Sequence, residues 1–230
     1  MRIAILDLTE HPLPLLEGMP NVGQQIVAWL GPALPEADLV TFAINAGGAA
    51  LPDVSDFDGL VLSGSELGVY DDVPWRQPLR DLVQASKEAG KPIFGICFGH
   101  QLMADVFGGK AELADKGTVV GARQFTTEAG VVDAHVWHKD QVTAVPPGAR
   151  VTMSASHCPV GGLDYDFPAR SVQFHPEYTE AHLRELFSRG HDKFLSGEEA
   201  DGAVASFEKS DVARNLMAKE TAEFFRGHLA

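Results

Sequence analysis

The chain has 230 residues, 45% of them hydrophobic and 22% charged, and its 32 acidic against 18 basic side chains give a formal charge of −14. That surplus repels nucleic-acid phosphates and anionic lipid heads, so neither a nucleic acid nor a membrane is expected as a partner. No window approaches the ~18 consecutive apolar residues of a membrane span, and the start Met1-Arg-Ile-Ala-Ile-Leu-Asp-Leu8 lacks the pattern of a secretory leader.

In chain order, short apolar runs alternate with helical patterns, the mark of an α/β domain with a mostly parallel, buried sheet. Strands are predicted over 3–8, 39–44, 59–62 and 92–97. Asn21 is placed to cap a helix carrying Val22, Ile26, Trp29 and Leu30 on one face, and a second helix near 78–87 carries Leu79, Leu82 and Val83 before Gly90. After Gly108-Gly109 the runs 119–125, 131–137 and 151–156 follow one another without a helix between them, which predicts antiparallel strands attached to the main sheet. One more core strand is expected at 171–174. From Glu180 the chain turns helical: 196–202 reads as an acidic loop, and Ala213, Leu216, Met217 and Phe224 share a face of the last helix. No repeat or long linker divides the chain, so 1–230 is expected to form one domain with 180–230 as a helical extension.

Two cysteines, Cys97 and Cys158, are too few for a disulfide scaffold, and the expected compartment is the reducing cytoplasm, where a thiol stays available for chemistry. Cys97 lies in Gly95-x-Cys97-x-Gly99, directly after a predicted strand and before a helical stretch. Flanking glycines permit a tight turn that lifts the central side chain out of the sheet edge, at a helix N-terminus that favours an anion. The Phe98 N–H would face the same spot and could donate to an oxyanion. An inert thiol with glycines that merely pack helix on strand is an equal alternative on this motif alone. Cys97 and His100 lack a second Cys/His pair at ligand spacing, which weakens a metal site. A nucleophilic thiol needs a base, and nine histidines compete for that role. His175 stands out because it follows a core strand, as Cys97 does, and Glu177 two residues on could orient its imidazole.

The pair Gly95-Ile-Cys-Phe-Gly-His-Gln101 and Gln173-Phe-His-Pro-Glu177 resembles the class I, triad-type glutamine amidotransferases, closest to the amidotransferase domain of GMP synthases, and lesser segments agree: Leu62-Ser-Gly-Ser65, Val69-Tyr-Asp-Asp72 and Trp137-His-Lys-Asp-Gln-Val142. The resemblance runs to about Glu180 and implies a flavodoxin-like α/β fold. It implies Cys97 as nucleophile, His175 as general base and acid, Glu177 as its orienting group, Gln101 as a contact for substrate glutamine, and backbone N–H groups of Phe98 and Ser65 as the oxyanion hole. Ser65 stands where relatives usually carry glycine, which raises the question of the loop's conformation. His138 with Asp140 reads either as a site element or as a solvated turn, and Tyr70, Asp71 and Trp75 either wall a pocket or pack a loop. Cys158 reads as structural.

The implied chemistry is hydrolysis of glutamine or another γ-glutamyl amide through a thioester, with no metal, nucleotide or flavin cofactor. No G-x-x-x-x-G-K-[ST] phosphate loop occurs, so ammonia would pass to a separate synthetase partner; alternatively the chain hydrolyses γ-glutamyl peptides or amines alone, or is a silent binding module. The extension after Glu180 is expected to cap the sheet, cover the site or make an oligomer contact.

Overall fold

The computed structural model describes residues 1–10, 17–44, 50–115, 117–190, 193, 195–208 and 210–229. Strands and helices alternate through the first half: β1 (Arg2–Asp7), α1 (Val22–Leu30), β2 (Asp38–Ala43), β3 (Gly59–Leu62), α2 (Arg76–Glu88), β4 (Ile93–Ile96) and α3 (Phe98–Val106). Every residue of β3 and β4 is buried, as a central strand covered on both faces requires. Asn21 caps α1 as its position predicts: its side chain accepts from Gln24 N, and Gln24 returns an acceptor to Asn21 N.

The second half supplies β5 (Lys110–Leu113), β6 (Val119–Thr127), β7 (Gly130–His138), β8 (Asp140–Ala144), β9 (Ala149–Ala155), β10 (Cys158–Tyr165) and β11 (Ala169–Val172). One nine-stranded sheet runs β2-β1-β3-β4-β11-β10-β9-β6-β7, with β5 and β8 a separate antiparallel pair. Strands β2, β1, β3, β4 and β11 are mutually parallel, whereas β10, β9, β6 and β7 continue the same sheet in antiparallel pairs. The predicted antiparallel strands are therefore an extension of the main sheet, joined through β11. Strand β10 escapes a reading by pattern because Pro159 and Gly161-Gly162 look like turn residues; they belong to a bulged strand whose Gly161 lies where a Cβ would be 2.6 Å from the Phe125 ring.

Side chains alternate between two cores. Ile3, Ile5, Trp29, Phe94 and Ile96 face the layer containing α1 and the C-terminal helices, while Ala4, Leu6, Leu62, Leu79 and Leu102 face α2 and α3. Among the described residues no helix is long and apolar enough to cross a membrane.

The C-terminal helices are α4 (Glu180–Gly190), α5 (Gly197–Phe207) and α6 (Arg214–Leu229). The expected loop at 196–202 is instead the start of α5. Ser196 Oγ accepts from Glu199 N at 3.3 Å and Glu199 Oε2 accepts from Ser196 N at 2.9 Å, a reciprocal cap, and the acidic residues that suggested a solvated loop are first-turn charges facing the helix dipole. Ala200, Ala203 and Phe207 provide its buried face. The face of α6 also differs from the predicted one: Met217, Ala218, Thr221, Ala222, Phe224 and Phe225 are buried, whereas Leu216 is 47% exposed and Ala213 precedes the helix. Ser196→Ala should lower unfolding free energy by about 1 kcal/mol, read from the urea midpoint, with no change in the folded far-UV dichroism beyond the first turn of α5.

Candidate active site

Cys97 occupies the turn between β4 and α3 with φ +52° and ψ −102°, the one non-glycine residue at positive φ among those described. Such a backbone persists where its neighbours over-determine it. Here Cys97 N donates to Val172 O of β11 at 2.8 Å and Cys97 O accepts from Gln101 N at 3.0 Å. The flanking glycines are enforced by contact: a Cβ on Gly95 would sit 2.6 Å from Met103 Sδ, and one on Gly99 would sit 2.6 Å from Leu62 O. Close packing of α3 on the strands and the bent turn at Cys97 are thus one feature, and the two readings of the glycine pair coincide.

The chain leaves β11 at Val172, and Gln173 N donates to Gly161 O at 2.9 Å and His175 N to His135 O of β7 at 2.8 Å. That anchoring turns His175 and Glu177 into the interior, where Nδ1 lies 2.7 Å from Glu177 Oε1 and both side chains are buried. The Tyr178 ring lies parallel to the imidazole, centroids 4.3 Å apart and planes 5° apart. Gly64 closes the other side, since a Cβ there would be 2.8 Å from His175 Cε1 and 3.7 Å from Cys97 Cβ. Burial opposes a charge on His175, yet the Glu177 carboxylate and the Cys97 sulfur outweigh it and push the imidazole up to about 10.

The sulfur has two further neighbours. Cys97 Sγ is 3.8 Å from Trp137 O, and Gln173 Nε2 donates toward it at 3.6 Å. Gln101 lines the same cavity, but its amide donates inward, to Asp140 O at 2.9 Å and Gln173 Oε1 at 3.3 Å, so it reaches the sulfur through Gln173. Gly99 N donates to Ser63 O at 3.1 Å, leaving the Phe98 N–H at the helix start without an intrahelical acceptor. Ser63 braces its loop by accepting from Leu8 N at 2.9 Å and donating to Gly64 O at 2.7 Å. Ser65 needs no glycine-like conformation, because it is not among the residues at positive φ.

These groups open onto a cavity of about 580 Å³ whose lining includes Ser65, Cys97, Gln101, His175, Trp137 and Tyr178. His138 and Asp140 belong to that wall. Burial and the nearby His157 and His175 imidazoles push His138 down to about 3, so it is neutral and its Nδ1 meets Asp140 O at 3.2 Å. Tyr70, Asp71 and Trp75 lie outside the lining and pack their loop: Tyr70 Oη donates to Asp140 Oδ2 at 3.1 Å, Asp71 Oδ2 accepts from Gly68 N at 2.8 Å, and Trp75 meets the Phe98 ring edge-on. His100 is turned into the core, with its nitrogens on Ser171 Oγ at 2.8 Å and Val160 O at 3.1 Å. Cys158 is fully buried and its thiol is pushed up to about 12 by burial. Sequence reasoning passed over Gln173, Trp137 and Tyr178. A glutamine in an apolar run, just before the histidine, was the available signal for the first; the others depend on β7 and on ring stacking.

A thiol, an imidazole and a carboxylate in contact, with backbone donors beside the thiol, are suited to acyl transfer through a covalent intermediate. The family model for glutamine amidotransferase class I matches residues 33–189. The GMP synthase [glutamine-hydrolyzing] of Bordetella parapertussis is 30% identical over 216 residues, 84% of this chain and 40% of that protein, so the chain spans less than half the length of this relative. Gamma-glutamyl peptidase 3 of Arabidopsis thaliana is 30% identical over 191 residues, covering 76% of this chain and 77% of that one. In fold, the chain resembles a glutamine amidotransferase from Thermotoga maritima, with TM-score 0.77, 14% identity and 99% and 97% of the two chains covered. Another, from Methylobacillus flagellatus, gives TM-score 0.75 at 21% identity over 98% and 92%. The matched span takes in the Cys97 turn and the His175 to Glu177 segment together, and the chain belongs to the class I glutamine amidotransferase family.

Proposed function

We propose that the chain hydrolyses the side-chain amide of glutamine, or a related γ-glutamyl amide, through a thioester on Cys97. The observation that carries this reading is the buried His175–Glu177 contact of 2.7 Å beside a thiol held in a strained turn at a helix N-terminus. Glu177 fixes the imidazole tautomer, and His175 takes the thiol proton. The sulfur attacks the γ-carbonyl, and its π electrons move onto the oxygen, which the N–H groups of Phe98 and Ser65 receive. Collapse of that oxyanion breaks the C–N bond while His175 gives its proton to the departing amine, leaving the γ-glutamyl thioester. Water, deprotonated by His175, then attacks the thioester; glutamate leaves and the thiol is restored. Gln101 and Gln173 hold the sulfur side of the pocket, and no step calls for a metal or cofactor. A free thiol of this kind fits the reducing cytoplasm.

With free glutamine the released amine is ammonia, and a synthetase would consume it, a role suggested by the matched GMP synthase, which is more than twice as long as the shared region. The cavity favours a second reading: about 580 Å³ is in the range that holds drug-sized ligands, and Trp137, Tyr178 and Leu186 offer apolar surface beyond the needs of a single amino acid. A γ-glutamyl peptide or amine hydrolysed by the chain alone would use that room. Ammonia, amine and glutamate release from a panel of γ-glutamyl amides separates the two. Efficient turnover of a bulky conjugate supports the second, and weak glutaminase activity raised by an added synthetase supports the first.

Cys97→Ala should abolish turnover, by at least about 10³-fold, with the folded far-UV dichroism retained; turnover persisting in this variant would end the thioester mechanism. The charge on His175 also makes stability depend on pH. Its ordinary value of 6.5 applies to the unfolded chain and about 10 to the folded one, so the stabilisation is complete below 6.5 and lost as pH rises through 10. The difference in unfolding free energy between wild type and Glu177→Gln, measured in urea, should therefore shrink across that window, whereas a constant difference would show that His175 is not held charged.

A further inference from the structure

Arg214 is the first residue of α6 and lies beyond the span of the family match. The chain reaches it along β7, the last strand of the sheet: Val212 bridges Asp133 in parallel, Ala213 N donates to Asp133 O at 3.1 Å, and Asp211 N donates to Asp133 Oδ2 at 3.1 Å. Two residues further along that strand, His135 accepts from His175 N through its carbonyl and meets Tyr178 O through Nδ1 at 3.0 Å. On the other side, Trp29 Nε1 of α1 donates to Arg214 O at 3.0 Å. This strap delivers the guanidinium to the segment that bears Glu177, where Nη2 donates to Glu177 O at 3.3 Å.

Two buried atoms of opposite character remain. Among the described residues, Glu177 Oε2 accepts no hydrogen bond and Arg214 Nε donates none. Glu177 is completely buried, and its other oxygen is taken by His175. A carboxylate in that position needs a nearby cation, because burial without compensation is costly. The titratable groups that interact with it are His175 and Tyr178 from its own turn, His135 from β7, His182 from α4 and Arg214 from α6, while Cys97, at the start of α3, acts on His175 and Tyr178. Burial lowers the pKa of both His135 and His182, which leaves them neutral near pH 7. His175 is the cation at Glu177 Oε1, and Arg214, with Glu177 favouring its charge against burial and Nη2 on the Glu177 main-chain oxygen, is a second, permanent positive charge beside the same residue.

We propose that Arg214 is a positioning residue: through Glu177 it fixes the imidazole of His175 against Cys97, so the strap at 211–214 belongs to the active machinery. This rests on the assignment of Cys97, His175 and Glu177 above. The test is the rate at which 6-diazo-5-oxo-L-norleucine and iodoacetamide label Cys97 in the full chain, with kcat and KM on whichever γ-glutamyl amide is turned over. Arg214→Met should slow both labelling reactions and lower kcat by roughly tenfold or more, with KM within about twofold, and Arg214→Lys should recover most of the rate by restoring the charge. Wild-type protein that does not label would overturn the Cys97 assignment and this proposal with it. Normal wild-type labelling with an equal rate in Arg214→Met would overturn the proposal alone, as would equal losses in the Met and Lys variants that track a lowered melting temperature. Should Arg214→Met not fold, Trp29→Phe removes the indole N–H holding the Arg214 carbonyl together with part of a ring packed on Phe94; a slower rate at an unchanged melting temperature supports the proposal, and an unchanged rate, or a loss that tracks a lowered melting temperature, overturns it.

Discussion

The left-handed backbone at Cys97 is the constraint on which the rest of the site depends. A non-glycine residue at φ +52° costs about 1–3 kcal/mol, and it survives because β4 and α3 cannot separate to relax it. Gly95 lets β4 lie against Met103 of α3, Gly99 lets the start of α3 lie against Leu62 of β3, and Val172 O holds the Cys97 N–H. With the turn fixed, the carboxyl ends of three adjacent parallel strands converge: β3 gives the loop of Ser63 to Ser65, β4 gives Cys97, and β11 leads into Gln173 to Tyr178. Functional groups collect at such an edge because each parallel strand delivers its following loop to the same side.

The antiparallel half of the sheet completes what the parallel half begins. Strand β7 is five places from β4 in sheet order, yet its Trp137 carbonyl approaches Cys97 Sγ and its His135 carbonyl binds His175 N. Twist accumulated over the intervening strands, with register shifts between β9 and β10, curls this edge back over the strand ends. The C-terminal segment then closes the same edge, pairing with Asp133 and placing Arg214 behind Glu177.

Electrostatics separates one imidazole from the others. His100, His135, His138 and His182 are all lowered by burial, whereas His175 is raised although it is just as enclosed. The difference is a carboxylate at 2.7 Å and a sulfur beside the ring, which favour the charged form more than burial disfavours it. The surface charge of −14 plays no direct part in this; the balance is struck inside the protein between neighbouring groups.

Local pattern determined a good part of this protein. Continuous apolar runs marked the buried strands, Asn21 marked the start of α1, and glycines around Cys97 marked a bent turn, because each of these is enforced by residues a few positions apart. The loop expected at 196–202 failed for a related reason: acidic side chains are equally suited to a solvated loop and to a first helical turn, and the burial of Ala203 and Phe207 decides between them. Strand β10 was hidden because its glycines, which read as a turn, are required by close neighbours in the fold, Gly161 by the Phe125 ring and Gly162 by Thr152 and Met153. Position after a core strand singled out His175 among nine histidines, but that Gln101 donates to Gln173 beside the sulfur, that Trp137 borders it and that Arg214 reaches the Glu177 carbonyl were decided by tertiary structure alone, since each depends on segments far apart in sequence that no local pattern brings together.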